Sequence, residues 1–259
     1  MNGVMQIYLD FKIRIFEWLD RLSDIQLMIW VVILIALIFL IMHGQRDKIL
    51  LKNISIILGL IPVLIHELGH AFAAKLTGGK VRDIHMVLTH RGQTKKGAQG
   101  YAETAPRGRI SAIITAFMGY VFPPLMFFLG VYLITHQYSF IYVLILIFLS
   151  FFYLVHTRQL YLPLLFIVIL LYTGYDLSID RIEITNRMLD IIFSVILGLL
   201  LGETIQSIII TARTVFSQSH QEWDGSLLQR LTLVPGFVWF LIWTGVSTAF
   251  VYYSFLMIL

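Results

Sequence analysis

From Ile25 onward the chain alternates long apolar runs with short polar interruptions. Runs of about 17 residues or more, enough to cross about 30 Å of hydrocarbon as a helix, lie near Ile25 to Met42, Ile54 to Leu76, Ile110 to Thr135, Tyr138 to Val155, Leu189 to Ala212 and Pro235 to Leu259. A shorter run, Leu160 to Thr173, is a marginal seventh. The first 24 residues follow a different period. Val4, Tyr8, Phe11, Ile15, Trp18 and Leu22 recur at steps of three and four, with Asp10, Arg14, Glu17 and Arg21 on other faces. That pattern predicts an amphipathic helix over residues 1–24, lying at the cytoplasmic membrane surface or packed on the rest of the protein.

Three interruptions carry structural information. Between the second and third runs, "GGKVRDIHMVLTHRGQTKKGAQGYAET" has glycines at its edges, β-branched residues and a basic centre. It predicts a hairpin or a pair of short strands, with Gly78 and Gly79 ending the preceding helix. "GYVFPPL", Gly119 to Leu125, places paired prolines inside the third run, and their missing donors predict a break or bend. "HTRQ", His156 to Gln159, predicts either a tight cytoplasmic turn or a pair of half-depth helices. No repeat or linker divides residues 25–259, which read as a single polytopic domain.

Composition places that domain in a bilayer. Hydrophobic residues make up 58% of the 259 and charged residues 13%, where a soluble domain carries about a quarter charged; mean hydropathy is +0.84. The fold class expected is an all-α integral membrane protein with six to seven, nominally seven, transmembrane helices and a short β-hairpin-like cytoplasmic insertion. In a seven-span arrangement only Arg46, Lys48, Lys52, Arg181 and Arg187 of the 19 basic residues face the side opposite the N-terminus. The N-terminus is therefore expected in the cytoplasm. The net charge of +4 then reflects topology, and nucleic acid is not an expected partner. The first apolar run lacks a small-residue cleavage site and reads as a true span. With no cysteine, any metal site must be built from histidine and carboxylate.

The second run contains "IHELGH". Ionisable side chains inside a span are disfavoured by roughly 2.5 to 3.5 kcal/mol each on insertion scales, and three occur here. On a helix turning about 100° per residue, Glu67 falls about 100° and His70 about 40° from His66. All three share one arc. Two imidazoles one turn apart can close on one Zn²⁺, with the intervening carboxylate beside them as a base. His85 and His90 sit in the strand-like stretch, where a loop role is the simpler reading. His43, His136, His156 and His220 are scattered singly and read as interface or loop residues.

"IHELGHAFAAKLTGG" resembles the metal-binding helix of the site-2 protease superfamily of intramembrane zinc metalloproteases, in particular its divergent, compact bacterial branch. "GYVFPP", "HTRQLY" at His156 to Tyr161 and "WDGSLLQRLTLVPGFVW" at Trp223 to Trp239 follow in that branch's order. The resemblance implies a metalloprotease-like core over about residues 54–243. It implies a zinc ion held by His66, His70 and a third ligand, an Asp commonly followed by Gly, which Asp224 and Gly225 match. The Asn-Pro-rich run that precedes this Asp in other members is missing, and Glu203, in "LLLGETIQS", competes for the position. Glu67 is the implied general base toward a metal-activated water.

The implied function is a zinc-dependent intramembrane endopeptidase that cleaves a membrane-protein substrate near the cytoplasmic face of a bacterial cell membrane. An extended substrate segment would add as a strand to the stretch from Val81 to Thr104. The alternative is a catalytically inactive membrane binding protein of the same superfamily, or a transporter with a midplane metal site.

Overall fold

The computed structural model describes residues 22–44, 49–89, 98–159, 182–217 and 223–259, with isolated positions at 5, 6, 8, 9, 12, 13 and 92. Most of the amphipathic N-terminal stretch, the marginal seventh run, His90 and His220 lie outside the described residues. Helices α1 (Ile29–Gly44) and α2 (Ile49–Leu76) lead into strands β1 (Lys80–Met86) and β2 (Gly100–Ala105). Then follow α3 (Arg109–Thr135), α4 (Ser139–His156), α5 (Ile182–Phe216), the short α6 (Asp224–Thr232) and α7 (Gly236–Ile258). Among the described residues, five helices (α2, α3, α4, α5 and α7) are long and apolar enough to cross a membrane.

The first apolar run forms a shorter helix than its composition suggests. Gln26 N–H donates to Asp190 Oδ1 at 2.7 Å and Met28 N–H to Ser194 Oγ at 3.0 Å. These bonds hold residues 25–28 in a non-helical lead-in against α5, and α1 has 16 residues. The proline pair does not break its helix either. Pro123 and Pro124 lie buried within an unbroken 27-residue α3. Neither can donate to the carbonyl one turn back, so Gly119 and Tyr120 lose those partners while neighbouring helices keep the segment helical.

α3 is the central helix, packed against α2, α4, α5, α6 and α7. Phe122, Met126, Phe127, Val131 and Ile134 join the main apolar core from its buried side, with Leu68 of α2, Tyr142 and Tyr153 of α4 and Leu197 and Leu200 of α5. α4 is apolar all round. Its outer stripe, Leu144, Phe148, Phe151 and Val155, recurs at steps of four and three and stays exposed, as a lipid-facing surface does.

Gly78, at φ +79°, turns the chain out of α2 into β1 in the left-handed region that glycine enters without penalty. β1 pairs antiparallel with β2, Ile84 opposite Ala102 and Met86 opposite Gly100, with an irregularity between Val81 and Asp83. The expected short strand pair is therefore present. After α4 the chain does not continue as a half-depth helix over the described residues: Thr157 is extended, and Thr157 and Gln159 lie along β1.

α1 packs on α5 where two glycines one turn apart open a groove. A Cβ at Gly198 would stand 2.8 Å from Val32 O, and one at Gly202 would stand 2.9 Å from the Phe39 ring. Small residues at this spacing let helices approach closely in a bilayer. Gly202→Leu should cost about 1–3 kcal/mol through overpacking and lower the melting temperature in detergent by several degrees. Gly245→Leu, where nothing lies within 4 Å, should leave it unchanged.

Candidate metal centre

α2 and α3 cross at two glycines. A Cβ on Gly69 would stand 2.6 Å from Phe122 Cβ and 2.7 Å from Met118 O, and one on Gly119 would overlap the His70 ring and lie 2.9 Å from His66 Nε2. The two imidazoles therefore rest on bare α3 backbone. His70 Nδ1–H donates to Thr115 O at 2.7 Å, which leaves the Nε2 lone pair facing inward. His66 meets His70 edge-on, ring centroids 4.8 Å apart, and its other side meets the Tyr120 ring at 5.0 Å and 87°.

Asp224 reaches the same point from α6. Ser226 Oγ accepts from Trp223 N–H at 3.1 Å and donates to Trp223 O at 2.6 Å, tying the start of that helix. The Trp223 ring lies over Gly225, where no Cβ would fit, which accounts physically for glycine after the aspartate. Fully buried Leu228 seats α6 against Ala116, Val121 and Trp243. Trp243 Nε1–H donates to Phe117 O at 3.0 Å, and Arg109 Nε to Leu231 O at 2.6 Å.

The ligand atoms of His66, His70 and Asp224 all lie within 4.8 Å of one another. The two Nε2 atoms are 3.1 Å apart, and Asp224 Oδ2 stands 3.7 Å from that of His66 and 3.3 Å from that of His70. Donors bound to one tetrahedral zinc at about 2.0–2.1 Å sit about 3.3 Å apart, and the three separations bracket that value. The chemistry of the donors agrees. With its proton on Nδ1, His70 turns a lone pair toward a carboxylate oxygen, an arrangement that a shared cation relieves. The site thus fits a small metal ion held by two imidazoles and one carboxylate.

Asp224 lies outside the membrane-spanning helices. Burial works against its charge, but the His70 and His66 rings, when protonated, outweigh burial and hold its carboxyl well below the usual carboxylate range. Glu67, 8% exposed, points to the sheet side of α2, where the Ala102 backbone N–H bonds its carboxylate and Gly100 leaves room for its stem.

Among the described residues the metal-competent group contains His66, His70 and Asp224 and not Glu203, whose Oε1 accepts from Ser207 Oγ at 2.9 Å. The scattered histidines among the described residues are placed by backbone. His43, His136 and His156 each bond the carbonyl one turn earlier, and His85 stacks on Tyr101 beside Gln159. Gly119, Tyr120, the Thr115 carbonyl and the Ala102 N–H belong to the site and were not singled out as such by the sequence. A lone small residue one step before the aromatic and proline cluster of α3 was the available signal for Gly119.

A family model described as Peptidase M50B-like matches residues 30–254. The chain belongs to this family. Membership carries the site-2 protease resemblance over most of the sequence, and with the apolar helices it makes the chain an integral membrane protein of a peptidase family. No curated protein and no solved structure matches the chain. In this M50B-like chain, Gly119→Ala should lose bound metal, measured by elemental analysis of purified protein. Gly108→Ala, which meets nothing within 4 Å, should retain it.

Proposed function

We propose that the chain is a zinc-dependent intramembrane endopeptidase that cleaves a membrane-protein substrate near the cytoplasmic face of a bacterial cell membrane, with its own N-terminus in the cytoplasm. The observation that supports this most is the convergence of Asp224 with His66 and His70 of a membrane-spanning helix within 4.8 Å, beside a buried Glu67, in a chain of a peptidase family. His66, His70 and Asp224 would hold the ion. When bound, zinc supplies a Lewis acid that acidifies water and polarises a carbonyl oxygen.

The remaining work falls to the chain. Glu67 takes a proton from the attacking water and returns it to the departing amine, a role that suits a carboxylate adjacent to the ligand pair and shielded from bulk solvent. Thr115 orients His70 through its carbonyl, and Tyr120 holds the plane of His66. Helical substrate spans hide their carbonyls in internal hydrogen bonds, so the scissile segment must be extended before attack, and the sheet beside Glu67 offers it a strand partner.

Glu67→Gln should abolish cleavage of a co-expressed single-span protein, read by immunoblot, while zinc remains at one equivalent. Undiminished cleavage would refute the endopeptidase reading. Zinc at one equivalent with no cleavage by the unaltered chain would favour a binding protein. Asp224→Asn should weaken zinc retention on dialysis against a chelator by at least about tenfold; unchanged retention would remove Asp224 from the ligand set and reopen the position for Glu203.

A further inference from the structure

The polar residues inside the spans do not all serve the metal centre. On α5, Thr204, Ser207 and Thr211 recur at steps of three and four and line one side of a small cavity between α3, α5 and α7. Thr244 and Ser247 of α7 line another side, and α3 borders it with Tyr120, Pro123 and Pro124. Its volume is about 10 Å³, close to the least that holds one water molecule.

The hydrogen-bonding groups around this cavity are unevenly matched. Thr204 Oγ1 donates to Leu200 O at 2.7 Å, Ser207 Oγ to Glu203 Oε1 at 2.9 Å and Thr211 Oγ1 to Ser207 O at 2.6 Å. Each α5 hydroxyl has committed its one proton to its own helix and can offer the cavity only a lone pair. The prolines add two more acceptors. A helical carbonyl points toward the residue four places on, so Gly119 O and Tyr120 O face Pro123 and Pro124, which have no proton to give. The hydroxyls of α7 are in the opposite condition. Thr244 Oγ1 is buried without a hydrogen-bond partner, and Ser247, 5% exposed, makes no hydrogen bond among the described residues.

One molecule meets both needs. Water brings two protons for the acceptors and two lone pairs for the α7 hydroxyls, whereas a metal cation could serve only the acceptors. Leaving such groups unmatched at membrane depth is costly. We propose that the cavity between α3, α5 and α7 is a binding site for a single water molecule, which donates to the acceptors of α3 and α5 and accepts from Thr244 and Ser247. The water takes the place of helix donors that the prolines lack, and it ties α7 to its neighbours by hydrogen bonds. Trp243 borders the same cavity and packs with Leu228 of α6. The bound molecule thus braces a ring on which the helix carrying Asp224 is seated. The site does not rest on the endopeptidase reading.

Hydroxyl-radical labelling with a brief X-ray pulse tests the site in the full-length protein in detergent. The pulse converts water into radicals that react close to where they form, so a buried ring is oxidised only when water lies against it. Trp243, 4% exposed, should be oxidised, and Phe39, fully buried against Gly202, should not. Oxidation is read by peptide mass spectrometry and corrected for the intrinsic reactivity of each ring. Ser247→Val fills the cavity and removes a donor, and should abolish oxidation of Trp243. If that variant is not recovered, Thr244→Val combined with Ser247→Ala removes both donors at nearly constant volume and should reduce oxidation sharply.

Oxidation of Trp243 no faster than that of Phe39 in the unaltered protein would overturn the proposal. Oxidation that persists undiminished in the variants would overturn it too, because bulk solvent would then be the source of the radicals.

Discussion

Everything at the metal centre depends on how closely α2 can approach α3. Two glycines, one on each helix, bring the backbones near enough that imidazoles rooted on one helix rest against the main chain of the other. The hydrophobic effect gives little drive for such contact in a bilayer, since lipid tails are as apolar as leucine; close fit and hydrogen bonds must supply it. Here they do both tasks at once. The bond from His70 to the Thr115 carbonyl fastens the helix pair and also fixes which nitrogen faces the centre. Packing and ligand orientation are therefore one constraint, and no change to the crossing can leave the donor set undisturbed.

From that crossing the surrounding parts take their places. α3 carries α6 on its flank through Ala116, Val121 and Leu228, and α6 brings a carboxylate to the imidazoles. On the opposite side of α2 the sheet meets Glu67 through a main-chain donor of β2. Glu67 and the histidine pair thus face different neighbours although they share one helical arc. One side is a clamp of aromatic rings, Tyr120, Trp223 and Trp243, and the other is the strand pair. This division sets the metal-competent group on the aromatic side of α2 and the carboxylate of Glu67 on its sheet side.

The sequence made some of this legible and hid the rest for identifiable reasons. His66, Glu67 and His70 could be read as one site because helical periodicity is local. The strand pair was visible from its flanking glycines and β-branched residues. The prolines of α3 suggested a break or bend, since a single sequence shows the donors that are missing but not the neighbours that keep the helix unbroken. α1 starts later than its hydropathy implies because Asp190 and Ser194, far along the chain, claim backbone donors at its entrance. The choice between Asp224 and Glu203 depended on depth and rotation of distant segments, which hydropathy cannot resolve. Gln159 was invisible as the partner of the Met86 backbone, because a side-chain bond to a strand more than seventy residues away leaves no periodic trace.

The distribution of the donor set along the chain has a bearing on biogenesis. Both imidazoles belong to α2, whereas the carboxylate lies on α6, well over a hundred residues later. Chains are made and inserted from the N-terminus, so the histidine pair enters the bilayer while the residue that completes the group has yet to be synthesised. A stalled or truncated chain would hold two neighbouring imidazoles and nothing to close them. The group is therefore assembled only when α6 docks on α3, after both imidazoles are already in place.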